Sequence, residues 1–464
     1  MKVDIKDRDF KWIDLKFSDL VGNFHHLTLP AKNYEEIKKN GVGFDSSSCP
    51  GFKSVEGGDM VLIIDEDSAF IDPFFEEPTI SYFCYIKEAD TKGEYLRDPR
   101  TVSFKAQEYM RKEGIADNVL FGPEFEFYIF DRVIVNNSEN ISEYKIESYE
   151  GKFGFDDTYI NESGEFLMKK SGYHSIPPKD KFTDIRGKIS NVIIDYGIDL
   201  IYHHHEVGSA QNEIEIKRYP LLKTGDNIQI IKYFIKNVCY KNDLSATFMP
   251  KPLYNMPGNG MHFHQHLFKN GKNLFFGNGY GGLSQIGEYY VAGLLKHGKS
   301  LLAFTNPSTN SYKRLVKGFE APVKLFYSLA NRSAAIRIPK YAISENEKRI
   351  EFRPPDGTCN PYLATAAMLM AGLDGIKNKI SLKDNNFGPF DQDLEKMDKN
   401  VVEKIDSCPT NLLEALEELK KDHDYLLQGG VFSEDLIKGY IEYKEKEALE
   451  MAKRPHPYEF ELYF

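Results

Sequence analysis

The sequence predicts an α+β protein with a small strand-rich first unit and a larger second unit. Residues 12–29 alternate between apolar and polar side chains on both sides of a Val-Gly-Asn turn, which is typical of a β-hairpin. Two further strand patterns follow before Asp98, which stands directly ahead of a proline and therefore marks the start of a helix. We expect an N-terminal domain over residues 1–98 and a second domain over residues 99–464.

The second unit combines strands with long helices. Residues 119–130 give a strong strand pattern, whereas residues 132–180 are polar and irregular and are interpreted as an excursion over the surface. Asn360 provides a helix N-cap, followed by a proline and an alanine-rich body typical of a core helix. Residues 412–427 and 434–451 have amphipathic helix patterns. Because no repeat or glycine-rich linker interrupts this unit, we expect one domain.

Composition and charge limit the classes of function. The chain has 464 residues, of which 41% are hydrophobic and 28% are charged, as in a globular protein. Its 70 acidic and 59 basic residues give a net charge of -11, which argues against a nucleic-acid-binding surface. Five widely spaced cysteines favour the reducing cytoplasm. The charged first residues and the lack of an apolar run of about 20 residues predict no signal peptide and no membrane span.

Six side chains that could bind metal stand in four strand-like clusters. They are Glu124 and Glu126, Glu206 and Glu213, His262, and Glu351. Side chains at i and i+2 on a strand share a face, so the first two glutamates point the same way. A single pair of this kind is more often a solvated sheet face. Five carboxylates and one imidazole in one place, however, would require cations between them and would suit two hard ions such as Mg²⁺ or Mn²⁺.

The histidines leave a zinc site as an alternative. His262, His264 and His266 alternate along one predicted strand face, and three histidines are a known zinc ligand set. The consecutive histidines at 203–205 cannot converge on one ion, because neighbouring strand residues point to opposite faces. The many glutamates and the lack of a thiolate partner favour hard-ion chemistry.

A basic cluster could bind phosphate or carboxylate groups. Arg314, Arg332 and Arg337 precede Arg349 and Arg353, and the last two alternate with apolar residues on one predicted strand. Guanidinium forks bind both groups in bidentate fashion, although ordinary salt bridges are about as common for any single arginine. No Gly-x-x-x-x-Gly-Lys-Ser/Thr sequence occurs, which excludes a P-loop. A nucleotide would therefore be held through metal ions and arginines.

Several ordered segments resemble type I glutamine synthetase from about Asp14 to Phe464. They include Phe121-Gly-Pro-Glu-Phe-Glu-Phe, His203-His-His-Glu with Gln211-Asn-Glu, Gly260-Met-His, Asn306-Pro-Ser-Thr-Asn-Ser-Tyr-Lys-Arg-Leu, Asn331-Arg-Ser and Asn360-Pro-Tyr. The resemblance implies an N-terminal β-grasp domain and a C-terminal catalytic domain with an antiparallel sheet and surrounding helices. It also implies ATP-dependent ligation of ammonium to L-glutamate through γ-glutamyl phosphate, in nitrogen assimilation.

The same resemblance assigns roles to individual residues. Glu126, Glu206 and Glu213 would hold a first Mg²⁺ or Mn²⁺ ion, and Glu124, His262 and Glu351 a second. Arg332, Arg337, Arg349 and His264 would contact ATP, and Gly258, Arg314, Glu320 and Arg353 would hold glutamate. The catalytic residues would be Asp45, which takes a proton from ammonium, Glu320, which closes the site, and Arg332.

The resemblance also implies an assembly. It predicts a homo-dodecamer of two stacked hexameric rings, in which neighbouring subunits share each active site and supply Asp45 to one another. The C-terminal residues 455–464 resemble a tail that inserts into the opposite ring. A nitrogen-regulatory protein is a further possible partner, whereas nucleic acid and membranes are not expected.

Some positions depart from the family pattern. Ser46, Pro257 and His266 stand where a glycine, an asparagine and a serine are usual, which affects the details of substrate contacts. Phe387 replaces the tyrosine that carries the adenylyl group in relatives, so we predict no adenylylation there. Two rival functions remain: ligation of glutamate to a larger amine, and a catalytically silent assembly protein on the same scaffold. Asp45 favours ammonium, and the complete ligand set argues against a silent protein.

Overall fold

Two β-sheets and a surrounding layer of helices make up the protein. The computed structural model describes residues 4–53, 57–151, 153, 164–318, 321–329, 331–392 and 394–464. The strands are β1 Trp12–Ser18, β2 Phe24–Pro30, β3 Val42–Asp45, β4 Asp59–Ile64, β5 Phe70–Ile71, β6 Thr79–Glu88, β7 Asn118–Phe130, β8 Arg132–Asn137, β9 Ser142–Glu147, β10 Leu200–His205, β11 Gln211–Ile216, β12 Tyr219–Pro220, β13 Ser245–Thr247, β14 Phe263–Lys269, β15 Lys272–Asn273, β16 Lys324–Leu329, β17 Ala334–Ile338 and β18 Ile350–Phe352. The helices are α1 Tyr34–Asn40, α2 Pro99–Lys112, α3 Thr183–Tyr196, α4 Leu221–Tyr240, α5 Gln285–Lys296, α6 Gly298–Thr305, α7 Ser311–Arg314, α8 Pro361–Lys377, α9 Lys399–Glu403, α10 Leu412–Lys421, α11 Asp424–Leu427, α12 Glu434–Ala452 and α13 Pro457–Tyr463.

The first sheet has the strand order β2-β1-β6-β4-β3, with β5 added beside β6. Strands β1 and β2 are antiparallel from Trp12 opposite Pro30 to Ser18 opposite Phe24, which confirms the predicted hairpin. Strand β1 runs parallel to β6, so its central position buries nearly every side chain of the strand. This mixed sheet with helix α1 on β4 is the expected β-grasp unit.

The second sheet has the order β10-β11-β7-β14-β18-β17-β16. Its pairs are antiparallel as expected, except that β16 and β17 at one edge are parallel. Strand β7 is long enough to pair with β11 through its second half and with β14 through its first half. The register sets Glu126 opposite Glu213 on β11, and Glu351 opposite His264 on β14. The clusters predicted from sequence therefore meet across neighbouring strands.

Helix α8 forms the centre of the helical layer. It begins after Asn360, whose side-chain oxygen accepts hydrogen bonds from the backbone of Tyr362 and Leu363, as the N-cap pattern predicts. Nearly all of its residues are buried, and it packs against α2, α4 and α5. The predicted helix at 412–427 is wrong in one respect, because α10 ends at Lys421 and α11 begins only at Asp424. Between them, Asp422 leaves the helical conformation and bonds the side chains of His297 and Ser300.

The segment 132–180 is more than a surface excursion. It begins with the hairpin of β8 and β9, which is largely exposed. Further along the segment, Glu150 is completely buried and Asp180 is nearly so, both behind the second sheet. The polar composition suggested exposure, but these two acids are buried because they are hydrogen-bonded to other groups inside the protein. Among the described helices, none is both long and apolar enough to span a bilayer.

The two sheets share one continuous hydrophobic core. Side chains of the first sheet and of the helices around the second belong to the same buried cluster. Asp98 caps helix α2 by accepting hydrogen bonds from the backbone of Arg100 and Thr101. Arg100 in turn bonds Asp226 on α4 and lies 2.6 Å from Asp65 of the first unit. The proposed domain boundary at residues 98 and 99 stays a prediction.

Candidate active site

A cavity of about 410 Å³ is lined partly by residues of strands β7, β10, β11, β17 and β18 of the second sheet. Its wall contains all six predicted metal-ligand residues and most of the predicted substrate-binding residues. The predicted members of the wall are Glu124, Glu126, Glu206, Glu213, His262, Glu351, Gly258, Arg314, Arg332, Arg337 and Arg353. Three predicted residues, His264, Arg349 and Asp45, do not line it. The structure therefore brings together residues that are spread over more than two hundred positions of the chain.

Glu124, His262 and Glu351 form one compact group. His262 Nδ1 lies 2.7 Å from Glu124 Oε2 and 3.5 Å from Glu351 Oε1. The three ligand atoms all lie within 4.8 Å of one another. Strand pairing creates the group, because β14 lies between β7 and β18 in the sheet.

The group is electrically balanced by its neighbours. Burial raises the pKa of Glu124, but hydrogen bonds with His262 and His264 outweigh burial and hold that pKa well below its usual range. Burial and the nearby Glu124 raise the pKa of Glu351, yet the guanidinium groups of Arg337 and Arg353 lower it overall. Both carboxylates are therefore ionised and able to act as oxygen ligands.

Glu206 and Glu213 form the second group, together with His204. Their ligand atoms also lie within 4.8 Å of one another, and Glu126, opposite Glu213 in the sheet, points toward the first group. One oxygen of Glu126 accepts a hydrogen bond from the backbone of Gly260 at 2.7 Å, and the other lies 3.7 Å from His262 Nε2. Glu126 therefore lies between the two groups.

Within the described residues, the ion pairs of Glu206 and Glu213 include no lysine or arginine. Burial and the neighbouring Glu126 raise the pKa of Glu206 to about 7. Burial, followed by the charges of Glu124 and Glu206, raises the pKa of Glu213 well above its usual range. Burial lowers the pKa of His204, so this imidazole is neutral and does not offset the two carboxylates. A cation with oxygen ligands fits here, because it would allow both acids to ionise.

The donor chemistry fits two hard divalent ions better than zinc. The two groups offer carboxylate oxygens and two imidazoles, and Cys49, Cys84, Cys239, Cys359 and Cys408 are absent from the wall. His266 is the third histidine of the zinc alternative. It is buried, and it belongs to none of the clusters of possible metal ligands among the described residues. Burial and the nearby Arg218 and Arg349 lower its pKa to about 3. The three alternating histidines therefore do not form one site.

The arginines occupy the wall beside the carboxylates. Arg337 bonds Glu351, and Arg353 Nε lies 3.1 Å from the other oxygen of Glu351. Arg314 is buried and bonds the backbone oxygens of Pro354 at 2.6 Å and of Arg353 at 3.1 Å. These guanidinium groups are held in place beside the carboxylates by fixed partners.

Arg349 and His264 lie behind the wall. Arg349 Nε donates to His264 Nδ1 at 3.3 Å, and His264 Nε2 lies 2.9 Å from Glu124 Oε1. The Arg349 guanidinium also lies 5.3 Å from the ring centre of Tyr341, an exposed residue of the cavity wall. The chain of contacts couples the predicted nucleotide residues to the Glu124 group.

One predicted catalytic residue, Asp45, does not line the cavity. Asp45 lies at the end of β3 in the first sheet, where its side chain is exposed and accepts a hydrogen bond from the backbone of Ser47. The Ser47 hydrogen bonds lower the pKa of Asp45, so the carboxylate is ionised. Glu320 lies outside the described residues.

The cavity wall contains residues that the sequence interpretation missed. They are Lys170, Tyr173, Tyr202, His204, Val207, Gln211, Gly318, Ala321 and Tyr341. Tyr202 and His204 precede Glu206 by four and two positions, so strand alternation was a usable signal for both. Lys170 and Tyr173 come from the segment 132–180, in which no local pattern marks them.

Comparison with known proteins identifies the family. The model of the glutamine synthetase catalytic domain matches residues 96–463, and that of the glutamine synthetase β-grasp domain matches residues 9–89. The glutamine synthetase of Frankia alni is 46% identical to this chain, in an alignment that covers 99% of this chain and 97% of the relative. The glutamine synthetase of Pseudomonas taetrolens is 47% identical, over 99% of this chain and 98% of the relative.

Solved structures agree with the sequence relatives. The cryo-EM structure of Plasmodium falciparum glutamine synthetase matches with a TM-score of 0.91 and 33% identity, over 99% of this chain and 97% of that chain. A structure titled as a GmaS/ADP complex matches with a TM-score of 0.82 and 25% identity, over 100% of this chain and 99% of the other. The chain therefore belongs to the glutamine synthetase family, enzymes that ligate ammonia to glutamate to form glutamine.

Proposed function

We propose that the protein converts L-glutamate, ammonium and ATP into L-glutamine, ADP and phosphate through a γ-glutamyl phosphate intermediate. We assign this reaction to nitrogen assimilation in the cytoplasm. The observation that carries the proposal is a single cavity that combines six potential metal ligands with four arginines. A site of that kind suits the transfer of a phosphoryl group to a carboxylate, since both reactants are anionic.

Two divalent ions, Mg²⁺ or Mn²⁺, are the proposed cofactors. Glu126, Glu206 and Glu213 would hold one, and Glu124, His262 and Glu351 the other. When bound, these ions supply positive charge that offsets the phosphates of ATP. The raised pKa values of Glu206 and Glu213 support the assignment, because two buried carboxylates side by side need a cation to remain ionised together.

Arg332, Arg337 and Arg349 are the proposed phosphate ligands, with His264 close to the nucleotide. Guanidinium forks match phosphate oxygens, and the fixed contacts of Arg337 with Glu351 reduce the cost of ordering it. The ADP in the GmaS structure supports an adenine nucleotide as the substrate of this fold.

The proposed glutamate site consists of Arg314, Arg353 and the backbone at Gly258. These residues orient the side-chain carboxylate of glutamate toward the γ-phosphorus of ATP. A carboxylate oxygen forms a bond to that phosphorus, the bond from phosphorus to the bridging oxygen breaks, and the electron pair leaves with ADP. Glu320, outside the described residues, would close the site and exclude water from the acyl phosphate.

Ammonia completes the reaction. Asp45 of a neighbouring subunit would take a proton from ammonium, because the charged form has no free electron pair to attack carbon. The nitrogen then bonds the acyl carbon, the bond to the phosphate oxygen breaks, phosphate leaves with the electron pair, and the nitrogen loses a second proton to give the amide. The lowered pKa of Asp45 keeps it anionic and so attracts ammonium.

We propose a homo-dodecamer of two stacked hexameric rings in which neighbours complete each site. The exposed position of Asp45, away from its own cavity, supports this proposal. A nitrogen-regulatory protein remains a proposed partner. Adenylylation is not expected, because Phe387 has no hydroxyl group and its side chain is buried.

A phosphate-release assay tests the proposed reaction. Purified protein receives ATP, Mg²⁺ and glutamate with either ammonium or a series of alkylamines and polyamines, and the amide product is identified by mass spectrometry. We expect phosphate release to be fastest with ammonium and to yield glutamine. Faster release with a larger amine would support the rival amine ligase. Absence of release with every amine, from an intact assembly, would support a silent protein.

A further inference from the structure

We propose that Glu150 and His205 are a positioning pair that fixes the backbone of Glu206 for metal binding. This inference deepens the proposed function and depends on it. Neither residue contacts the cavity, and both side chains are completely buried. They lie on the opposite side of the β10–β11 hairpin from the acids of the metal site.

His205 connects Glu150 to Glu206. Its Nε2 lies 2.9 Å from Glu150 Oε2, and its Nδ1 lies 2.6 Å from the backbone oxygen of Glu206. Both ring nitrogens therefore face oxygen atoms, which fixes the orientation of the imidazole. A fixed imidazole in turn holds the peptide group between Glu206 and Val207, whose oxygen it contacts.

Glu150 also holds the other end of the turn that carries Glu206. The oxygen that contacts His205 accepts a hydrogen bond from the backbone N–H of Ala210 as well. Its second oxygen accepts from the backbone N–H of Lys181 at 2.9 Å. One carboxylate thus connects residues 205 and 210, which flank the turn, to the segment packed behind it. Since β11 begins at Gln211, the separation of Glu206 and Glu213 depends on this turn.

A second buried pair supports the same strands. Arg186 bonds Asp180 through both of its terminal nitrogens, and it also bonds the side chains of Asn212 and His203. Asn212 directly precedes Glu213 in the chain. The arrangement thereby fixes the backbone beside both acids.

Glu150, Asp180 and His205 could in principle hold a metal of their own, because their ligand atoms lie within 4.8 Å of one another. Their existing contacts argue against this. Both oxygens of Glu150 accept backbone hydrogen bonds, and both oxygens of Asp180 accept from Arg186. The acids are thus satisfied by protein donors, and a hydrogen-bonded support explains the cluster better than a further ion.

Close packing shows how little freedom the pair has. A Cβ atom added to Gly172 would lie 2.5 Å from His205 Cε1 and 2.6 Å from the Glu206 oxygen. The backbone of Gly172 therefore approaches the pair more closely than any other residue type allows. Gly172→Ala should displace the imidazole or the Glu206 peptide without altering any charge.

The decisive experiment measures Mn²⁺ binding to the assembled protein in the absence of nucleotide, by electron paramagnetic resonance. Glu150→Gln replaces one acceptor oxygen by an N–H₂ group that faces backbone donors. We expect the affinity of one Mn²⁺ site to fall about 10- to 100-fold, as is usual when groups that orient a ligand are removed. The other site should keep its affinity. A Glu213→Gln protein identifies which site is weakened.

Glu147→Gln is the matched control. Glu147 is a buried glutamate of β9 that pairs with Lys145 at 2.9 Å, and the described contacts do not extend to Glu206. It should bind Mn²⁺ as the unmodified protein does. If Glu150→Gln does not assemble, Gly172→Ala supplies the same measurement and should also weaken the site defined by Glu213.

The outcomes separate the inference from the proposed function. Failure of the unmodified protein to bind Mn²⁺ at two sites would contradict the metal assignment itself. Normal two-site binding that Glu150→Gln or Gly172→Ala leaves unchanged would overturn the positioning role alone. A lower melting temperature of the metal-free variant with unchanged Mn²⁺ affinity would show that the pair is merely structural.

Discussion

Glu351 is the residue at which the proposed metal and phosphate sites meet. It is 1% exposed, bonds Arg337 and Arg353, and lies 3.5 Å from His262. Its carboxylate therefore both neutralises the arginines and offers an oxygen to a metal. Loss of its charge would release two guanidinium groups and remove a ligand at the same time.

Glu351→Gln should lower glutamine synthesis at least about 100-fold, the scale of effect for a group that stabilises developing charge. The amide retains the size of the side chain, so we expect the assembly and the circular dichroism spectrum to be unchanged. Glu347→Gln, on the preceding exposed loop, is the control and should remain active. An active Glu351→Gln protein would remove this residue from the metal site.

At the residue scale, the sequence predicts the functional side chains that share one strand better than those that fold together from distant parts of the chain. Glu124 and Glu126 could be recognised because they share a strand face with aromatic residues between them. Glu150 could not, since its partner Ala210 is sixty residues away and the surrounding sequence is polar. The assignment of individual glutamates to one metal or the other came from family resemblance and stays a prediction.

At the element scale, one histidine connects five helices. His297 lies between α5 and α6; its Nε2 is 2.9 Å from Asp374 on α8, and its Nδ1 is 2.9 Å from Asp422 after α10. Its ring stacks on Tyr425 of α11 with centroids 4.0 Å apart. Lys296, 3.8 Å from Asp374, is a further charged group beside these side chains. Burial lowers the pKa of His297, but both aspartates outweigh burial and raise it overall.

The raised pKa predicts how stability depends on pH. The histidine contacts stabilise the fold fully below the unfolded pKa of about 6.5 and lose that contribution as pH rises through the higher folded value. We expect His297→Gln to lower the unfolding free energy by about 2 kcal/mol at pH 6, the range for charged hydrogen bonds. The loss should shrink by pH 9. Urea unfolding at both pH values measures it, and a loss independent of pH would contradict the charge pair.

Helices α5 and α8 pack so closely that their contact requires glycine. A Cβ on Gly375 would lie 2.1 Å from the backbone oxygen of Tyr289 and 2.7 Å from Gly293 Cα. Gly375→Ala should therefore destabilise the protein by about 1–3 kcal/mol, the usual cost of overpacking. In the control Gly187→Ala, on α3, the new Cβ meets nothing within 4 Å. Thermal unfolding should separate the two, and equal melting temperatures would refute the packing argument.

The elements themselves were largely predictable, whereas their breaks were not. Hairpin β1–β2 and the cap of α8 carry local signals in turn and N-cap residues. The break between α10 and α11 has no such signal. It arises because Asp422 binds His297, which lies 125 residues earlier in the chain.

At the scale of the whole molecule, the C-terminal helix α13 is exposed along its entire length. Its apolar side chains include Tyr458, Phe460, Leu462 and Tyr463, which are each more than half exposed. Such a surface is unfavourable in water and supports burial against another subunit. The proposed dodecamer supplies that partner in the opposite ring.

Replacement of the apolar side of this helix should separate the rings. We expect Phe460→Ser combined with Leu462→Ser to give hexamers by native mass spectrometry, with the fold of each subunit retained. Glu461→Gln changes an exposed acid of the same helix and should leave the dodecamer intact. Dodecamers that persist in the double variant would show that the tail does not join the rings.

The sequence revealed the family but not the quaternary contacts of this chain. The ordered segments span both sheets, which explains why the fold could be predicted almost completely. Asp45 illustrates the limit, because it is exposed in its own chain and its proposed role depends on a neighbouring subunit. Contacts between subunits leave no periodic pattern within one sequence, so they could be inferred only by resemblance.

The central claim is that the glutamate side chain becomes phosphorylated before ammonia attacks. The most direct measurement follows ¹⁸O from glutamate labelled in both oxygens of its side-chain carboxylate, in the presence of ATP, Mg²⁺ and ammonium. A γ-glutamyl phosphate intermediate transfers one labelled oxygen to each phosphate released and leaves the other in glutamine. Glutamine formed together with unlabelled phosphate would contradict the proposed mechanism.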